Sequence, residues 1–132
     1  LKEPVHVLLF ELPALLSEIF MHRFRYEEDL EIAVHRDQSE TLIEAVKRYR
    51  ADIVMTGANQ PYPLILELLR HNPRLKLFNI WSEGRQTLLC ELYCGCEAQG
   101  QLSPDDFVAR IRELVNMPFS FTRHGLKRDD HQ

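Results

Sequence analysis

Between residues 5 and 81 the apolar positions alternate between short unbroken runs and stretches of helical spacing. Val5-His6-Val7-Leu8-Leu9-Phe10 is rich in β-formers and nearly continuous, as expected of a parallel strand covered on both faces. Pro13 then opens a helix in which Leu15, Leu16, Ile19 and Phe20 recur at helical spacing and should form the buried side. Leu30-Glu31-Ile32-Ala33-Val34 reads as a second strand. Asp37 or Ser39 is placed to cap a following helix that buries Leu42, Ala45, Val46 and Tyr49. Ile53-Val54-Met55 is the third strand. Pro61 and Pro63 reset the chain before a helix with Leu64, Ile65, Leu68 and Leu69 on one side, and that helix stops near Asn72-Pro73, because the residue before a proline disfavours the α region. Leu75 to Trp81 supplies a fourth strand.

This βαβαβαβ rhythm predicts an α/β fold, with parallel strands covered by helices on both faces. The next stretch is less regular. Thr87 to Cys94, bracketed by Gly84 and Gly95, leans towards strand through its Thr, Tyr and Cys content. It is expected to join the fourth strand by a short hairpin-like connection in place of a helix. Ser103-Pro104-Asp105-Asp106 then carries a capping hydroxyl, a proline at the first helical position and a carboxylate at the third. The helix it starts buries Phe107, Val108, Ile111, Leu114 and Val115. After Pro118 the periodicity ends, which predicts one domain over residues 4–116 and a polar tail or truncated linker over 117–132.

Composition narrows the function classes. A formal charge of −4 argues against a general polyanion-binding surface. In "MHRFRYEED" the acidic Glu27, Glu28 and Asp29 cancel the cations beside them, and two aspartates follow Arg123, Lys127 and Arg128 in the tail, so no nucleic-acid contact is expected. No apolar run approaches the roughly 20 residues of a membrane span, and no signal-peptide pattern opens the chain. Cys90, Cys94 and Cys96 are an odd, local set, read as buried or half-buried thiols in a reducing cytosol rather than a disulfide framework or a zinc site. His22, His35 and His71 form no metalloprotease spacing, and no serine lies in a nucleophile elbow. No catalytic residue, metal or cofactor is expected.

In element order, residues 4 to 116 resemble the receiver domain of bacterial two-component response regulators, especially receivers attached to helix-turn-helix output domains. "VHVLLFELP" resembles the first strand and acidic loop, "HRDQSETLIEAVKRYRADIVMTG" the second helix and third strand, and "SPDDFVARIREL" the start of the last helix. The resemblance implies a flavodoxin-like, doubly wound, parallel five-stranded sheet. It also implies an acidic pair, a phosphoacceptor aspartate, a Thr or Ser after the fourth strand and a Lys after the fifth. Here the acidic pair falls on Glu11 and Leu12, the aspartate on Gly57 preceded by Thr56, and the Thr/Ser on Ser82 or, with a one-residue slip, Trp81. No lysine occurs between Lys76 and Lys127.

Phosphoryl transfer in such a pocket needs a carboxylate nucleophile, oxygen ligands for a cation and positive charge on the transferred oxygens. The expectation is therefore a degenerate, non-enzymatic pseudo-receiver. It would act through a protein partner or an attached output domain and would form a homodimer. Trp81, Leu88, Leu92 and Tyr93 are its candidate interface, unless Trp81 and Leu88 only complete the core. The alternatives are an active phosphoacceptor receiver, for which Asp37 and Asp52 are the available carboxylates, and a small-molecule sensor using the crevice at the strand ends. Glu11 is either a plain loop carboxylate or a remnant cation ligand.

Overall fold

A computed structural model describes residues 3–36, 39–57, 60–81, 85–92 and 95–116. Strands β1 (Val5–Phe10), β2 (Leu30–His35), β3 (Ile53–Thr56) and β4 (Lys76–Trp81) are parallel and alternate with helices α1 (Ala14–Phe24), α2 (Leu42–Tyr49) and α3 (Tyr62–His71). Strands β5 (Gln86–Glu91) and β6 (Gly95–Gly100) and helix α4 (Pro104–Asn116) complete the order. The sheet runs β2-β1-β3-β4-β5-β6. It is a mixed six-stranded sheet, which corrects the expected five parallel strands: β5 is antiparallel to both β4 and β6.

The hairpin expected after the fourth strand is present, with Phe78 opposite Leu89 and Trp81 opposite Gln86. With only residues 82–85 between β4 and β5, the chain has no length for the crossover that a parallel neighbour requires. The sixth strand was not expected. Its partner contacts include Cys90 opposite Cys96, which are joined by a disulfide with a Cα–Cα separation of 4.1 Å, so the reading of these two residues as free thiols is corrected. Cys94 lies outside the described residues.

Two layers cover the sheet. On one face, Phe20 and Phe24 of α1 and Phe107, Val108, Ile111 and Leu114 of α4 pack on Val7, Leu9, Ile53, Met55, Phe78, Ile80 and Leu89. On the other, α2 and α3 bring Leu42, Ala45, Val46, Ile65, Leu68 and Leu69 onto Leu8, Phe10, Val54, Leu77 and Cys90. Beside Cys90, on the first face, the nearly buried Lys76 ammonium lies 3.5 Å from the Glu91 carboxylate of the facing strand position.

Local signals place most helix ends. Ser103 and Asp106 exchange hydrogen bonds as a capping box at the start of α4, at 3.1 and 3.0 Å. For α2 the cap is Thr41, reciprocated by Glu44, rather than Ser39; Asp37 lies outside the described residues. In α1 the buried side is Ser17, Phe20 and Phe24, while Leu15 is 70% and Ile19 41% exposed, so the predicted apolar face is rotated. Val115 of α4, also expected inside, is 44% exposed.

Ion pairs tie α1 to α4 across the turn before β2. Arg23 bonds both Glu27 and Asp105, while Arg112 bonds Glu27 and grips Asp29 in a two-point contact at 2.8 Å each. Arg23 and Arg112 hold the Glu27 carboxyl below its ordinary value near 4.5, and Arg112 holds Asp29 below its ordinary 3.8. A carboxylate with a depressed folded pKa adds stability above its unfolded pKa and loses it as pH falls through the folded one. The urea midpoint should thus decline as the pH drops below about 4.5, and Arg112→Met should flatten that decline. Because these groups are solvent-accessible, molar salt should also shrink the difference between the two proteins.

Candidate functional site

The carboxyl ends of β1, β2 and β3 meet at a crevice of about 570 Å³ lined by Glu11, Leu12, Pro13, Ala14, Ser17, His35, Arg36 and Gly57. In an α/β sheet this edge is where ligands usually bind, because the loops leaving the strands diverge there. Sequence reasoning placed Glu11, Leu12 and Gly57 in one pocket, and the structure brings them together.

At the centre of the crevice the chain closes on itself. A Cβ added to Gly57 would stand 2.8 Å from Cδ of Pro13, 3.2 Å from Cδ2 of Leu12 and 3.4 Å from the Leu12 backbone. The proline ring is tied to the main chain at both ends and cannot swing aside as a flexible side chain would. The two departures from the receiver pattern are therefore linked in space, since Leu12 and Pro13 occupy the room that an acceptor side chain at position 57 would need.

The neighbouring groups follow the same logic. Thr56 is fully buried, which closes its hydroxyl to a phosphate donor. Glu11 is exposed and adopts φ 55°, a left-handed conformation uncommon outside glycine. Asp52 stands at the opposite edge of the sheet, where its Oδ2 accepts the His6 backbone N–H at 2.9 Å, so it cannot serve the crevice. Ser82 and Asp37 lie outside the described residues. Because β5 runs backwards, its carboxyl end, Glu91, lies at the far edge beside Lys76, and its first residue, Gln86, is the one that stands at the carboxyl end of β4.

Ser17, His35 and Arg36 line the crevice without having been singled out for it. His35 was noted only as an isolated histidine. It is 2% exposed, stacks on Phe10 at 4.9 Å and lies 3.3 Å from Glu40. The register could have flagged it, since Phe10, His35, Thr56, Asn79, Leu88 and Ala98 stand in one row across all six strands. In this row the Oδ1 of Asn79, a residue only 4% exposed, has no hydrogen-bond partner among the described residues.

Of the expected interface residues, Trp81 and Leu88 fall on the same face of the β4–β5 hairpin, diagonal to each other across the pairs Asn79–Leu88 and Trp81–Gln86. Trp81 is 39% exposed, whereas Leu88 and Leu92 are half-buried at the margin of the α2–α3 core. Tyr93 lies outside the described residues. Among the described residues, no three His, Cys, Asp or Glu side chains form a metal-binding group, and no helix is long and apolar enough to cross a membrane. No protein-family model, curated protein or solved structure matches the chain.

Proposed function

We propose that this chain is a pseudo-receiver, a non-enzymatic regulatory domain that works through phosphorylation-independent protein contacts and self-association. The observation that carries the reading is the enclosure of Gly57 by Leu12 and Pro13, which removes both the acceptor carboxylate and the space for one. The order β2-β1-β3-β4 with α1 and α4 on one face supports the flavodoxin-like part of the resemblance, and β5 and β6 mark the departure from it. Fold likeness alone does not fix a function, so the weight rests on the pocket.

In this reading the domain acts on an attached transcriptional output domain or a protein partner through the face carrying Trp81 and Leu88. Two copies meeting there would form an isologous interface with aromatic residues near its centre. A cytoplasmic setting goes with the reading. Disulfides are rare there, and the Cys90–Cys96 pair weighs against it.

Sedimentation velocity over a concentration series tests the proposal, run with and without Mg²⁺ plus beryllofluoride and with and without a dithiol. The expected result is a concentration-dependent dimer that ignores Mg²⁺ and beryllofluoride and is weakened at least tenfold by Trp81→Ala. A monomer at every concentration would refute self-association, and a beryllofluoride-induced shift would restore the active-receiver alternative.

A further inference from the structure

The Cys90–Cys96 disulfide joins two very different surroundings. Cys90 is fully buried and belongs to the α2–α3 core with Leu68, Leu69 and Leu77, whereas Cys96 is exposed on β6, the outermost strand. A thiolate arriving from solvent therefore meets the Cys96 end of the bond, and access is one of the factors that decide thiol–disulfide exchange.

Strand β6 leans on that bond. None of its residues belongs to either hydrophobic core. Beyond its ladder with β5, its polar and covalent side-chain ties to the rest of the described residues are the disulfide and one hydrogen bond, from Arg110 Nε to Gln99 Oε1 at 3.1 Å. Both of its ends are left-handed glycines, Gly95 at φ 70° and Gly100 at φ 73°, and a Cβ at either would meet nothing within 4 Å. Each end is thus a backbone pivot with open space around it. The rest of the fold suits both redox states. A free cysteine packs as a small apolar side chain, so Cys90 keeps its place in the core after reduction. The bond spans a sequence separation of only 6, and short loops constrain the unfolded chain least, so breaking it costs the two cores little.

We infer that Cys96 is a thiol–disulfide exchange site for a dithiol reductant, and that reduction there releases β6 and uncovers the outer edge of β5. One thiolate of the dithiol bonds to Cys96 Sγ as the bond to Cys90 breaks, and Cys90 departs as a thiolate that takes up a proton. The second thiol of the reagent then displaces Cys96, which leaves as a thiol, and the dithiol ends as its own disulfide. Two electrons pass to the protein, and exchange with the oxidised reagent runs the same steps backwards. Released from β6, β5 presents unpaired backbone N–H and C=O groups.

Amide hydrogen exchange of the whole chain, read by NMR before and after dithiothreitol under native conditions, tests this. The hydrogen-bonded amides of β6 are expected to exchange at least tenfold faster after reduction, with those of β1, β3 and β4 unchanged. Cys96→Ser, which leaves Cys90 in the core, should show the reduced pattern without any reagent. Glutathione, a monothiol, added to the oxidised Cys94→Ser chain should leave its adduct on Cys96, located by tandem mass spectrometry. Unchanged exchange in β6, loss of protection throughout the sheet, a bond that survives excess dithiothreitol, or an adduct on Cys90 would each overturn the exchange site. None of these readouts depends on self-association.

Discussion

Phe107→Ala is expected to destabilise the fold by about 3–5 kcal/mol, the range for removing a large aromatic side chain from a packed core. Phe107 is 1% exposed and joins the two halves of its layer: its ring meets Phe20 of α1 edge-on at 5.1 Å and Phe78 of β4 edge-on at 5.2 Å. Edge-to-face pairs of this kind add roughly 0.5–1.5 kcal/mol beyond the area buried. Since single domains are stable by only about 5–15 kcal/mol, the loss is large enough to leave part of the population unfolded in buffer. Urea unfolding followed by fluorescence measures it. On the same helix Val115→Ala, at a side chain 44% exposed, should change stability by no more than about 0.5 kcal/mol. Equal effects at the two positions would mean that α4 does not pack as described.

The second large effect is at Gly57. Placing an aspartate there should neither confer phosphate acceptance nor leave the fold untouched. The first atom of any side chain already falls 2.8 Å from the Pro13 ring, so Gly57→Asp should lose about 1–3 kcal/mol, as overpacked sites commonly do. Acetyl phosphate should add no mass to the variant, and beryllofluoride should not alter its amide spectrum. A stable Gly57→Asp protein that takes up phosphate would show that the loop from Glu11 to Pro13 can move away and that the receiver chemistry is only one residue distant.

Much of the fold was legible because its first four strands and three of its helices each carry one dominant period. The failures have physical causes. Helix α1 has apolar residues all round, with Leu15, Leu16, Ile19, Phe20, Met21 and Phe24 spread over its circumference, so periodicity could not choose which side faces the sheet. The strand Gly95–Gly100 offers almost no apolar alternation, and its pairing rests on backbone bonds and one cysteine pair. The crevice was legible through the resemblance at Glu11, Leu12 and Gly57. Ser17 and Arg36 were not, because a serine inside an apolar helix and an arginine after a strand carry no spacing signal until the topology sets them together.

The Cys90–Cys96 bond has a consequence for the outermost strand. A strand with one apolar face is held in alignment because sliding by one residue would turn that face to water. Five of the six residues of β6 are exposed and the sixth is half-buried, so burial exerts little such control, and a bulge at Gln99, between the pairs Thr87–Gly100 and Leu88–Ala98, already shifts the count. The covalent link indexes the strand instead, fixing which rung of β5 each residue of β6 meets.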